Sequence, residues 1–265
     1  MPTELDFPAA IQRSPFRAIS ALILREIATA QGRVAGGYLW AIVEPVAAVA
    51  LLAIVFALAF AAPPLGKDFA LFYATGYLPF ALYLDLAQKT GVALRFSRPL
   101  LSYPAVSWID AILARFVLNL LTQTVVIALV LGALSGLATD RLVLHPELLA
   151  QGLALAAVWG FGVGVMNAFL FGWWPVWERL WSIANRPLFI ISGIVFLPEA
   201  VPPPFNNWVL ANPLTQAIAL TRSAIYPGYD VNWVTPLLSA SIALIPLAVG
   251  LLLLHRHAPR LLHEM

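Results

Sequence analysis

Few side chains in this 265-residue sequence have the type and spacing for covalent or metal chemistry. A phosphate-cradling loop needs a glycine-rich turn, followed by Lys and then Ser or Thr. The Gly66-Lys67 pair is followed by Asp68 and lacks the upstream glycine, so ATP hydrolysis by this chain alone is not expected. A serine nucleophile on a sharp turn wants a glycine two positions before it. Ser135 and Ser192 lack that glycine, and His145, His255, His257 and His263 all fall in loops or the tail. His255 and His257 in a basic tail make a weak metal pair. With no cysteine, thiolate sites and disulfides are excluded.

What remains is a set of charges at the ends of apolar segments. Glu44, Asp110 and Arg115 fall near one membrane face. Their signs suit a buried charge cluster that fixes helix packing, with substrate contact as the other use of charge at that depth. Asp85 is the ambiguous one, with no obvious cation except Lys89 one helical turn on.

The elements that position these groups are apolar. Hydrophobic residues make up 61% and charged residues 11%, against about 25% charged in soluble domains. Lipid must therefore be the solvent for most of the chain. The net charge is only +2 and the basic residues are scattered, which argues against nucleic acid as a partner. Met1 to Ser14 lack the apolar core and small-residue cleavage site of a signal peptide.

In chain order, Ser14-Pro15 opens a helix. Phe16, Ile19, Ile23, Ile27 and Ala30 recur on one side of it, with Arg13, Arg17, Arg25 and Glu26 between them. That pattern predicts an amphipathic helix on the membrane surface, serving as an anchor or as a coupling element. Spans are expected over roughly Tyr38–Ala62, Phe69–Ala87, Ile109–Leu134, Leu148–Gly172, Leu180–Leu197 and Val234–Leu254. A polar stretch from Gln88 to Ser107 carries Lys89, Arg95 and Arg98. Gly160 and Gly164 have the small-xxx-small spacing that permits close helix approach. Trp173, Trp174, Trp177 and Trp181 read as an aromatic belt. The fifth span is short and bracketed by Pro187 and Pro198, and Trp208–Leu220 is interrupted by Asn212-Pro213. Runs that short are re-entrant or interfacial more often than spanning.

Charge placement orients the bundle. Arg13, Arg17, Arg25, Arg33, Lys89, Arg95, Arg98, Arg115, Arg179, Arg186, Arg256 and Arg260 fall on one side, and only Lys67, Arg141 and Arg222 on the other. The positive-inside rule puts the first group in the cytoplasm. The expectation is an all-α integral membrane protein of six transmembrane helices, both termini cytoplasmic, with an N-terminal interface helix. An outer re-entrant helical segment is expected between spans 5 and 6. It is read as a single domain: tail and interface helix 1–37, bundle 38–254 and tail 255–265.

Gly37-Tyr38-Leu39-Trp40-Ala41 with Glu44-Pro45 resembles the opening motif of the type-2 permeases of bacterial ABC exporters. Among these it is most similar to capsular polysaccharide export permeases of the KpsM kind. The resemblance continues through Gly76-Tyr77-Leu78-Pro79-Phe80, Tyr103-Pro104, Asp110 and Ala114-Arg115. It runs on to Arg186-Pro187, Ser192-Gly193, Asn212-Pro213-Leu214, Arg222 and Pro227-Gly228-Tyr229. The chain departs from the family pattern at Asn119, Ala211 and Ala219, the last leaving Arg222 without a carboxylate one turn before it.

The resemblance implies a homodimer of permeases with two separate ATP-binding cassette subunits, which bind the ATP and magnesium; no cofactor is implied for this chain. It implies lipid-linked polysaccharide as cargo, periplasmic export components as further partners, and an inner-membrane setting among lipids. Within it, Arg25, Glu26, Arg95, Phe96 and Arg98 are expected to receive the ATPase's motion. Tyr38, Trp40, Tyr73, Tyr77 and Trp159 could offer aromatic faces along a sugar path, and Asn212 and Arg222 could stand at an outer gate. O-antigen or teichoic-acid export on the same fold, a membrane enzyme using Asp110 and Arg115, and a scaffold of a polysaccharide synthesis complex are the alternatives.

Overall fold

A computed structural model of the chain describes residues 15–33, 37–101, 103, 106–138 and 142–264. Arg13, Pro104, Asp140 and Arg141 lie outside the described residues, as do the side chains of Arg33 and Tyr38. Among the described residues the regular elements are all helical. They are α1 (Pro15–Arg33), α2 (Gly37–Ala59), α3 (Phe69–Gly91), α4 (Ala93–Leu101) and α5 (Trp108–Leu137). After these come α6 (Pro146–Trp173), α7 (Val176–Ile191), α8 (Asn206–Ala211), α9 (Pro213–Ser223) and α10 (Pro236–Glu264), with a 3-10 turn at Pro198–Ala200.

Among the described residues, five helical stretches are long and apolar enough to cross a bilayer: Leu39–Ala59, Phe69–Leu101, Trp108–Leu137, Pro146–Trp173 and Pro236–Ala258. The chain is an all-α integral membrane protein. The segment expected as a fifth span is built differently. α7 has 16 residues, and at about 1.5 Å per residue that falls short of the roughly 30 Å hydrocarbon core. It stops where Ser192 bonds back to the Leu188 carbonyl at 2.7 Å and Gly193 takes φ +74°, a conformation open to glycine at little cost. The polar stretch after Gln88 is also more regular than its composition suggests, since α4 follows α3 with only Val92 between them.

α3 and α6 form the centre, and glycines make their approach possible. A Cβ at Gly160 would lie 2.8 Å from the Leu86 Cβ, and one at Gly164 would lie 2.7 Å from the Thr90 Cβ. Gly162, on another face of α6, meets the Ala243 carbonyl of α10 in the same way. The glycine-rich stretch is thus a two-sided seam in which backbone packs against backbone, the contact type that joins helices where lipid removes the hydrophobic drive.

Candidate functional site

At one end of the bundle the basic residues gather around α4. Ala93, Leu94 and Ser97 are buried on one side of this helix, leaving Arg95, Phe96 and Arg98 exposed. Phe96 lies under the Arg115 guanidinium, whose Cζ is 4.0 Å from the ring centroid. Arg115 also pairs with Glu26 of α1 at 3.4 Å. Burial pushes the Glu26 carboxyl above its ordinary range, while the Arg115 and Lys89 cations oppose that shift. One arginine on α5 therefore ties α1 and α4 together, and Arg25, Glu26 and Phe96 line a small crevice there with Leu22. Arg95 points elsewhere, donating from Nη1 to Glu178 Oε2 of α7 at 3.0 Å.

The expected cluster of Glu44, Asp110 and Arg115 is corrected by this geometry. Asp110 is satisfied locally, as N3 of a capping box on α5: Ser107 Oγ accepts from the Asp110 amide at 3.2 Å, and the Ser107 amide donates to Asp110 Oδ2 at 2.9 Å. Arg115 turns to α1. Glu44 stands exposed on α2 and faces a cavity. Asp110 and Arg115 lie on one helix but turn to different partners, and Glu44 turns to neither. Ser107 lying three positions before Asp110 was the available sequence signal for the cap.

That cavity, of about 640 Å³, opens between α2, α3 and α7. Tyr77, Phe80, Trp181 and Phe189 form its aromatic wall. Phe189 meets Phe80 edge-on at 5.5 Å and Tyr77 at 6.4 Å, geometries the ring quadrupoles favour. The polar edge carries Glu44, Gln88, Gln123, Asn185 and Arg186, together with the Asp85–Lys89 pair at 3.0 Å.

Of the four expected path aromatics whose side chains are described, Tyr77 lines this cavity and Trp40, Tyr73 and Trp159 do not. Tyr73 is 1% exposed and sits in a ring cluster with Phe56, Phe69 and Phe72, one helical turn from Tyr77 toward the start of α3. Trp159 packs half-buried against the core, and Trp40 is exposed on α2. The side chain of Tyr38 lies outside the described residues. Phe80, Trp181 and Phe189 are the wall residues the expected path lacked, the last two on α7. With Glu178, Ser182 and Asn185 those two fall at helical spacing along α7, a signal hidden when Trp181 is counted in an interfacial belt.

The far end is organised by α9, whose residues Leu214 to Arg222 are all buried. Asn212 caps it, accepting from the Leu214 amide at 3.0 Å, and donates to Ser192 Oγ at 3.2 Å. Arg222 is fully buried and donates to the carbonyls of Gly193 at 2.9 Å, Phe196 at 3.1 Å and Ile194 at 2.8 Å. Its guanidinium also lies 4.2 Å from the Phe72 ring centroid. The turn after α7 takes the place of the carboxylate that Ala219 does not supply. Gly76 and Gly152 leave room for this arrangement: a Cβ on Gly76 would sit 2.9 Å from Arg222 Nη2, and one on Gly152 would sit 2.7 Å from Thr221 Oγ1.

No protein-family model matches the chain. Curated proteins do. The polysialic acid transport protein KpsM of Escherichia coli is 29% identical over 236 residues, covering 89% of this chain and 91% of that protein. The capsule polysaccharide export inner-membrane protein CtrC of Neisseria meningitidis serogroup B is 25% identical over 223 residues, 84% of this chain and 82% of its own length. Its counterpart BexB of Haemophilus influenzae is 22% identical over 219 residues, 82% of each chain. The likeness therefore runs through the bundle rather than along one apolar segment, and it supports a transporter-permease role. This multi-pass membrane chain resembles the capsule polysaccharide export inner-membrane proteins along most of its length.

Proposed function

We propose that this chain is the permease subunit of an ATP-driven exporter that moves lipid-linked capsular polysaccharide from cytoplasm to periplasm. Two copies form the transmembrane unit, and two separate ATP-binding subunits drive it from the cytoplasmic side. The observation that carries the reading is the likeness, over 89% of this chain, to a protein named for polysialic acid transport. The geometry is suited to the task. A cavity of about 640 Å³ lies in the range of ligand pockets, about 300–1,000 Å³, so it admits a short run of sugar rings rather than a folded polymer. Aromatic faces stack on the apolar faces of sugars, while amides and charges meet their hydroxyl and carboxylate edges. α4 presents Arg95, Phe96 and Arg98 outward beside α1, as a surface that an ATPase could push.

The test is co-expression with an ATP-binding cassette subunit from the same genome, in cells lacking their own permease. Copurification of the two chains and polymer at the cell surface are expected, and Trp181→Ala, which removes one aromatic face of the cavity wall, should lower surface polymer. A chain that neither copurifies with the ATPase nor restores surface polymer would overturn the reading.

A further inference from the structure

Glu178 of α7 has a role that neither its neighbours in sequence nor the likeness to other proteins assigns. It stands where three elements meet. Its Oε2 accepts from Arg95 Nη1 of α4 at 3.0 Å, and its Oε1 is 3.5 Å from Gln88 Nε2 in the last turn of α3. Arg95 Nη2 also reaches the Phe171 carbonyl at 3.4 Å, at the end of α6, where helix carbonyls lack internal partners and favour a cation. Glu178 thus connects the exposed helix α4 to the first turn of α7.

The spacing along α7 gives that connection a direction. Trp181, Ser182, Asn185 and Phe189 follow Glu178 at intervals of three, four, seven and eleven residues, which places all five on one stripe of the helix. The last four line the cavity. Pulling on Glu178 therefore tilts or rotates the very face that touches the cavity contents. Beyond the other end of α7, the turn that follows it is clasped by Arg222 through the carbonyls of Gly193, Ile194 and Phe196. Pro187 interrupts α7 before Phe189, so the stretch from Glu178 to Asn185, joined to α4 at its near end, is the unbroken piece that carries Trp181, Ser182 and Asn185 into the cavity wall.

We propose that Glu178 is a positioning residue that transmits displacement of α4, through Arg95, to the cavity face of α7. The proposal rests on the transport reading above, because it needs an ATPase that displaces α4. Structural stability is a poor competing account of the pair. The Arg95 and Glu178 side chains are 48% and 34% exposed, and pairs so exposed contribute about 0–1 kcal/mol.

The experiment uses the copurified complex of permease and ATP-binding subunit, with polymer export measured per ATP hydrolysed. Glu178→Gln should retain copurification and its thermal midpoint while export per ATP falls about tenfold. The exchanged pair Arg95→Glu/Glu178→Arg should export better than either single reversal. The chain has no cysteine, so Arg95→Cys/Glu178→Cys joined by a short bifunctional thiol reagent provides a second measurement. The double variant should be poorly coupled when free and recover when bridged. Wild-type coupling in Glu178→Gln, or a bridged pair no better than the unbridged one, would overturn the relay. A wild-type complex that does not export would instead overturn the transport reading beneath it.

Discussion

Arg222→Met tests whether the far end of the bundle is held as the structure indicates. The substitution keeps most of the side-chain volume and removes three donors, those to Gly193, Phe196 and Ile194 at 2.9, 3.1 and 2.8 Å. A buried acceptor left unpaired costs about 1–3 kcal/mol, so the three carbonyls together lose about 3–9 kcal/mol. Removing a fully buried charge returns several kcal/mol of desolvation. The contact with Phe72 nearly cancels, because a thioether on an aromatic ring is worth about 0.3–1.5 kcal/mol and a cation about 0.5–2. The balance is a destabilisation of about 2–4 kcal/mol, the acceptors outweighing the relieved charge. At about 2–4 °C per kcal/mol for chains of similar size, the thermal midpoint of the purified protein in detergent should fall by on the order of 10 °C. Arg222→Lys keeps a cation with a single nitrogen and should lie between the two, since the planar fork is what reaches several carbonyls at once. A Met variant melting within about 2 °C of wild type would show that the turn after α7 finds other donors, and the clasp would be refuted.

Two further tests address packing and capping. Gly164→Leu drives a side chain into Thr90 and the Leu86 carbonyl, 2.7 and 3.1 Å from its Cβ, and should cost about 1–3 kcal/mol or more. Gly132→Ala, with nothing within 4 Å of the added atom, should be neutral or stabilising by about 0.5–1 kcal/mol. Thermal midpoints that rank these two variants the other way would refute the α3–α6 seam. Ser107→Ala removes the side-chain acceptor for the Asp110 amide and should cost about 0.5–2 kcal/mol, again read as a midpoint shift. An unchanged midpoint there would mean that Asp110 is held by something other than the cap.

Much of the architecture was legible in the sequence because it follows from local and compositional physics. Apolar runs as long as the bilayer is thick announce helices, since no other open backbone survives in lipid. The first four expected spans each correspond to a helix within a few residues of both predicted ends, and the last begins near its predicted start but continues as helix to Glu264. The Gly160–Gly164 spacing announced a close helix contact, and Lys89 one turn after Asp85 announced their pair.

What the sequence could not determine was which faces meet. Glu44, Asp110 and Arg115 all fall near span ends in the sequence, yet they diverge to a cavity, a cap and a neighbouring helix. Depth can be read from distance along a helix, whereas azimuth depends on how neighbouring helices rotate and cross. The cavity wall shows the same limit, combining Tyr77 of α3 with Trp181 and Phe189 of α7, residues more than a hundred positions apart. Arg222 shows it most sharply. Its partners are backbone carbonyls 26 to 29 residues away, and backbone carbonyls have no sequence signature. The amino-acid order thus determined helices, membrane and glycine seams, and the tertiary structure alone decided which charges are paired, which aromatics face the cavity and what holds the turn after the short helix α7.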